Sequence, residues 1–288
     1  MMRKTRWTSV LYVLPSLCIL AVFLLYPTLH TLYLSFLDPR ASSFVGLGNY
    51  ISLLCQHEIL TVFRNNLLWL VLFTVTTVGL GLFLALLSDG LVYEPIVKAI
   101  IFVPMAISFT AAAVIWRLMY LYQPEGFPQV GLVNAFLVWM GGSPIAWLVN
   151  LEVNNLALIA AGVWMWTGFA MVVISAGLRS IPRGILEAAR VDGAKEWQLF
   201  RHILLPMLYP VLVVVVLTLT INALKVFDLV YVMTFGNHET DVMANRMFKE
   251  MFTFGHFGKA SALAVLLMVT IIPVMILNIR RFRRRESL

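Results

Sequence analysis

Residues 179–206 read RSIPRGILEAARVDGAKEWQLFRHILLP and form the most polar stretch of a 288-residue chain. Both flanks are apolar: residues 156–178 and 203–224 carry no charged side chain. A bilayer core of about 30 Å needs roughly 20 apolar residues per helical crossing, and each flank supplies them. The polar stretch therefore reads as a loop joining two membrane crossings, and the fold class follows from what surrounds it.

Hydrophobic residues make up 61% of the chain and charged residues 12%, a balance that excludes an ordinary soluble enzyme. Uncharged apolar runs at 11–36, 67–87, 99–116, 156–178, 203–224 and 260–279 predict an all-α, polytopic membrane protein with six transmembrane helices. The first run follows Arg3, Lys4 and Arg6 as a signal peptide would, yet it is too long and no small-residue cleavage site follows. It reads as a retained helix. Residues 130–151 also lack charge, but Gly141, Gly142 and Pro144 interrupt them, and Asn134, Ser143 and Asn150 have no evident partners. An external amphipathic or re-entrant element is expected there, not a seventh span. Pro15, Pro27, Pro104, Pro206, Pro210 and Pro273 lie in or at the ends of spans, either as packing kinks or as points of flexure.

The net charge of +7 fits nucleic-acid binding or basic flanks at a membrane, and position decides for the membrane. With six spans, the clusters at 3–6, 179–201 and 280–285 place thirteen Lys and Arg residues on one side, against a sparser set on the other that includes Arg40, Arg64, Arg246, Lys249 and Lys259. Positive charge favours the cytoplasm, so both termini are expected there. The chain divides into a cytoplasmic tail (1–10), a six-span domain (11–279) with its cytoplasmic loop at 179–206, and a basic cytoplasmic tail (280–288). Cys18 and Cys55 imply neither a disulfide framework nor a metal cluster.

Within the loop, Ser180 and Pro182 suit a helix start. Ile185, Leu186, Ala188, Ala189 and Val191 supply an apolar surface, and Glu187 and Arg190 are spaced i, i+3 to pair. Gly193 can end the helix in a left-handed conformation. A second short helix from about 195 to 203 then leads through Pro206 into the fifth span. Two readings of this elbow fit its periodicity: a helix seated in the groove of another protein, or a hairpin lying on lipid headgroups.

Glu187-Ala188-Ala189, Asp192-Gly193-Ala194, Phe200, Ile203 and Leu205-Pro206 resemble the EAA loop of binding-protein-dependent ABC importer permeases. The resemblance implies the type I ABC importer permease fold, and that Glu187, Ala188, Ala189, Arg190, Asp192, Gly193 and Ala194 contact a cytoplasmic ATPase whose closure moves the spans. Leu14-Pro15, Tyr26-Pro27, Tyr33 to Phe36, Phe44 to Leu47 and Asn49-Tyr50 are similar to the opening of the carbohydrate-uptake subclass. Phe63-Arg64-Asn65-Asn66 with Leu68-Trp69, Pro104 to Phe109, Lys225 to Asp228 and Val232-Met233-Thr234 look like alpha-glucoside and glucosylglycerol permeases. Implied partners are a second homologous permease, two ATP-binding subunits, an extracytoplasmic sugar-binding protein, the sugar and membrane lipid, with no nucleic acid. The implied location is a bacterial or archaeal inner membrane. The chain itself is expected to hold no cofactor or metal, ATP and Mg being used by the partner ATPase. The maltose permease subunit of this type carries extra N-terminal spans and a large external domain, whereas this sequence starts at the first core helix.

Sugar sites mix aromatic faces with polar groups. Gly162 to Phe169 carries Trp164 and Trp166, with Trp166 and Phe169 i, i+3 on one face. Resemblance to the maltose permease subunit implies sugar contacts here, from Trp166, Thr167 and Phe169. Tryptophans of this kind also mark interfacial belts or packing. Asn222 and Lys225 are the polar residues of the fifth span, and Lys225 can pair with Asp228 instead. His57-Glu58 and His238-Glu239 lack the second histidine of a zinc-protease motif, and Gly255 to Lys259 is no phosphate loop. An ion-coupled secondary sugar carrier, the competing class, is expected to carry acidic residues within its spans and often an internal repeat.

Overall fold

The computed structural model describes residues 12–286. The basic residues 3, 4 and 6 lie outside the described residues, as do the side chains of the basic C-terminal tail. Among these, two compact units emerge, one from residues 12–60 with 246–270, the other from 61–245 with 271–286.

The first unit contains α1 (Tyr12–Leu34), which is apolar and has no buried residue. Pro27 has no N–H to donate, and the turn before it opens into a π-turn in which the Tyr26 N–H reaches the Ala21 carbonyl. After α1 the chain folds back on Asn49, in α2 (Gly48–Leu54). Its buried amide donates to the carbonyls of Ser35 (2.9 Å) and Leu37 (2.5 Å). In the same bend the Ser43 and Ser42 N–H groups hold the Asp38 carboxyl below its ordinary range, Ser43 foremost.

The second unit is built around α7 (Asn154–Arg179), most of whose length is buried. Small residues make that burial possible, because they let neighbouring backbones approach. A methyl group on Gly81, in α3 (His57–Ser88), would strike Ala170 of α7. One on Gly168 would strike Ile101 and Phe102 in α4 (Glu94–Ala106). Gly177 lies likewise against Leu208 and Val211 of α9 (Glu196–Leu224).

The third apolar run is not one straight helix. α4 ends in a 3-10 turn containing Pro104, Ile107 is extended, and Ser108 caps α5 (Phe109–Met119) by accepting the Ala111 N–H at 3.2 Å. The two helices are bent by 97°. The hydrophobicity of the run hides the bend, since both arms are apolar.

Residues 130–151 hold α6 (Leu132–Trp139), at eight residues far too short to cross a bilayer. The expectation that Asn134 lacks partners is wrong. Its amide donates to the carbonyls of Leu121 (3.1 Å) and Ile145 (2.9 Å), and its oxygen accepts from the Ile145 N–H and the Trp147 indole, both at 2.9 Å. The segment folds onto this one amide, so its polarity marks a folded core.

Residues 234–242 join α10 (Asp228–Met233) to α11 (Met243–Phe248). Phe235, Gly236, His238 and Glu239 all have positive φ, and asparagines hold this strained path. Asn65 donates to the carbonyls of Glu239 (2.6 Å) and Asp241 (2.8 Å), Asn154 to that of His238 (2.6 Å), and Asn155 to that of Glu239 (3.4 Å). Asn66 accepts the N–H of Met243 at 2.7 Å.

Among the described residues, α1, α3, α7 and α9 are long and apolar enough to cross a membrane, and the bent α4–α5 pair is a fifth candidate. The sixth expected run falls within α12 (Phe257–Glu286), whose apolar part, Phe257–Pro273, is shorter.

Candidate functional site

The elbow begins where α7 ends. Ser180 Oγ donates to the Gly177 carbonyl at 2.7 Å, Ile181 is buried, and Pro182 opens α8 (Arg183–Val191). At the far end Gly193 has φ +85°. The Gly193 N–H reaches the Arg190 carbonyl and the Ala194 N–H the Ala189 carbonyl, both at 3.0 Å. This pair of bonds is a Schellman turn, which needs a left-handed residue and so favours glycine.

α8 sends Leu186 against the core and leaves its other faces open. Glu187, Ala188, Arg190, Asp192 and Gly193 are exposed, Ala189 and Ala194 half-buried, and Val191 stands 88% exposed. The elbow thus presents Ala188, Val191 and Gly193 outward among charged side chains. Arg190 does not pair with Glu187 as its spacing predicts. It crosses the turn to Glu196 at 2.9 Å, and that carboxylate raises the guanidinium pKa above its ordinary value. Glu196 opens α9, where a carboxylate also suits the positive end of the helix. The second elbow helix is not separate either. It continues into the fifth apolar run through a π-turn at Phe200–Leu204, placed just before Pro206 as the one in α1 is placed before Pro27.

Beneath α8 lies a polar cavity of about 650 Å³ lined by Asp89, Glu94, Arg179, Arg183, Glu187 and Arg190, among others. Glu94 is buried, at 6% exposure, with Lys98 at 2.5 Å and Arg179 at 2.9 Å. Stripping a buried carboxylate of its cations is strongly destabilising, by about 3–5 kcal/mol in typical cases.

A second cavity lies among α3, α5, α7 and the end of α9. Trp166 and Asn222 line it together with Trp69, Phe73, Phe109, Lys225, Phe227 and Asp228. Trp166 stacks on Phe109 (6.0 Å between centroids) and meets the edge of Phe169 (5.6 Å). The Asn222 amide donates to the Thr218 carbonyl at 2.8 Å. Lys225 and Asp228 share the cavity without forming an ion pair. Asp228 instead accepts from Thr110 at 3.5 Å, because it opens a new helix that turns toward α5.

The expected pocket residues therefore separate. Trp166 and Asn222 share one cavity, and Phe169 reaches it only through the ring of Trp166. Thr167 donates to the Val163 carbonyl (2.7 Å) and faces an apolar groove on the other side of α7, with Trp164. Two residues apart on a helix means about 200° of rotation, which parts the two tryptophans.

Sequence reasoning missed Trp69, Phe73 and Phe109 as neighbours of Trp166. A signal was present. Trp69 fits only because residue 162 is glycine, where a methyl would meet the indole at 2.8 Å. A π-turn at Trp69–Phe73 also widens α3 beside the cavity. Trp69, Phe109 and the Lys225 to Asp228 stretch all come from segments that carry the family resemblance, and they meet at this one cavity.

The apolar helices, with the polar elbow set between two of them, fit a multi-pass membrane permease. The chain belongs to the family of binding-protein-dependent transport system inner membrane components, whose profile matches residues 77–285. It is 52% identical to the osmoprotective compounds uptake permease protein GgtC of Synechocystis sp., over 96% of this chain and all of that one. It is 42% identical to the alpha-glucoside transport system permease protein AglF of Rhizobium meliloti, over 96% of this chain and 83% of that one. The fold matches a chain of the bacterial alginate ABC transporter crystallised with an alginate pentasaccharide-bound periplasmic protein. The TM-score is 0.82 at 22% identity, over 98% of this chain and 96% of that one.

Proposed function

We propose that this chain is a six-span transmembrane subunit of an ABC sugar importer, carrying an alpha-glucoside or related oligosaccharide across an inner membrane. The carrying observation is the elbow: a Schellman-turned helix with small, exposed residues, set between α7 and α9. In this reading α1, α3, the bent α4–α5 pair, α7, α9 and α12 are the six crossings, with both termini in the cytoplasm. The names of GgtC and AglF support the substrate class.

Two ATP-binding subunits hydrolyse Mg-ATP, and this chain, with no cofactor or metal of its own, does not. Their closure pushes the elbow and turns the spans outward, and a docked sugar-binding protein then delivers its cargo. Trp166, Asn222 and Trp69 receive the sugar, stacking on its C–H faces and bonding its hydroxyls, with Phe169 backing Trp166 and Thr167 shaping the helix behind. The cavity in this chain measures about 80 Å³, below the roughly 300–1,000 Å³ of a ligand pocket. A second homologous permease supplies the remaining wall.

The test is uptake by proteoliposomes holding the chain, its partner permease, the ATPases and the binding protein. Importer action requires ATP and survives an uncoupler. Uptake that continues without the ATPase and stops with an uncoupler would assign the chain to ion-coupled carriers instead.

A further inference from the structure

Glu94 sits at a junction that the coupling elbow alone does not explain. It is the first residue of α4, yet its carboxylate bonds to Arg179, the last residue of α7 and the one before the elbow's root. Lys98, one turn along α4, holds the same oxygen, and Ser175 of α7 approaches it at 3.4 Å. A carboxylate at a helix N-terminus is favoured by the helix dipole, but an exposed one would serve that purpose. Here it is buried between two helices, next to the cavity under α8 into which Glu187 and Arg190 also face.

The other end of α4 matters equally. α4 lies against α7 with no side chain between them at Gly168, so the two backbones are in close contact there. It then bends by 97° into α5, whose first turn carries Phe109 and Thr110. Phe109 stacks on Trp166, and Thr110 bonds to Asp228. One short, bent arm thus joins the elbow's root to a wall of the membrane cavity.

Resting on the importer reading above, we propose that Glu94 is a positioning residue for coupling. Through Arg179 it fixes the root of the elbow to α4, so that displacement of α8 reaches the Phe109 wall of the cavity as well as α7 and α9. Without it the ATPases still move α8, but the cavity wall follows incompletely and ATP is spent without transport.

The experiment uses the full complex in proteoliposomes and reads ATP hydrolysed per sugar imported, for wild type, Glu94→Gln, Glu94→Asp and Arg179→Gln. The expected result is a ratio raised at least about fivefold in Glu94→Gln and Arg179→Gln, with Glu94→Asp closer to wild type. Transport and ATPase falling in proportion, or neither changing, overturns the proposal. If Glu94→Gln fails to assemble, Arg179→Gln carries the test, and failure of both to assemble makes the cluster a structural clamp and overturns it too. Absence of ATP-driven uptake in wild type would instead remove the importer reading.

Discussion

Arg190 Nε lies 2.9 Å from Glu196 Oε1, so a single ion pair spans the Gly193 turn and ties the end of α8 to the start of α9. Both side chains are more than half exposed, and exposed pairs contribute little to stability. Glu196→Ala is therefore expected to change sugar uptake by less than about twofold. An order-of-magnitude loss would mean that Glu196 itself touches the ATPase.

The turn depends on Gly193 instead. Proline fixes φ near −65°, whereas this position sits at +85°, and proline would also remove the N–H bonded to Arg190. Gly193→Pro should leave the chain inserted in the membrane yet reduce uptake by at least about tenfold, because the elbow no longer seats. Membrane quantification beside radiolabelled uptake decides it, and normal transport would refute the coupling role.

Trp166 joins the Phe109 and Phe169 rings at the cavity. Trp166→Ala should raise the KM for sugar or alter the order of preference among glycosides, while co-purification of the ATPase persists. Unchanged kinetics would remove Trp166 from the pocket.

Gly168 and Gly79 form a matched pair. A methyl at Gly168 meets the backbone of α4, and one at Gly79 meets nothing within 4 Å. Gly168→Ala should destabilise by about 1–3 kcal/mol, as overpacking does. Gly79→Ala should be neutral or slightly stabilising, by up to about 1 kcal/mol. Thermal melting of the solubilised protein separates them, and equal effects would contradict the α4–α7 contact.

Much of this architecture is written locally. The helix ends at the elbow follow from Pro182 and Gly193, and the apolar runs mark α1, α3, α7 and α9, because propensity and length act within a segment. What escaped depends on contact between segments. The 97° bend lies inside a uniformly apolar run, and its markers, Pro104 and Ser108, fit equally well with a mild kink. Arg190 had two acidic neighbours within reach, and only the closed turn brings Glu196 nearer. Asn134 read as an unpartnered polar group because its four bonds come from residues 121, 145 and 147. The cavity was half visible: Trp166 and Asn222 stand out by residue type, whereas Trp69 is paired with Gly162 only once α3 meets α7.

The π-turn at Trp69–Phe73 fits one more residue into α3 than a regular helix would hold there. A residue removed within that turn would let the helix close normally and keep the face beyond it, whereas one removed after Phe73 would rotate everything beyond by about 100°. In the second case Gly81 would turn away from Ala170 and a bulky neighbour would meet α7 in its place. The number of residues between the π-turn and that seam is therefore fixed, and insertions or deletions in this gene should be found in the connecting segments or at the π-turn itself, never between Phe73 and Gly81.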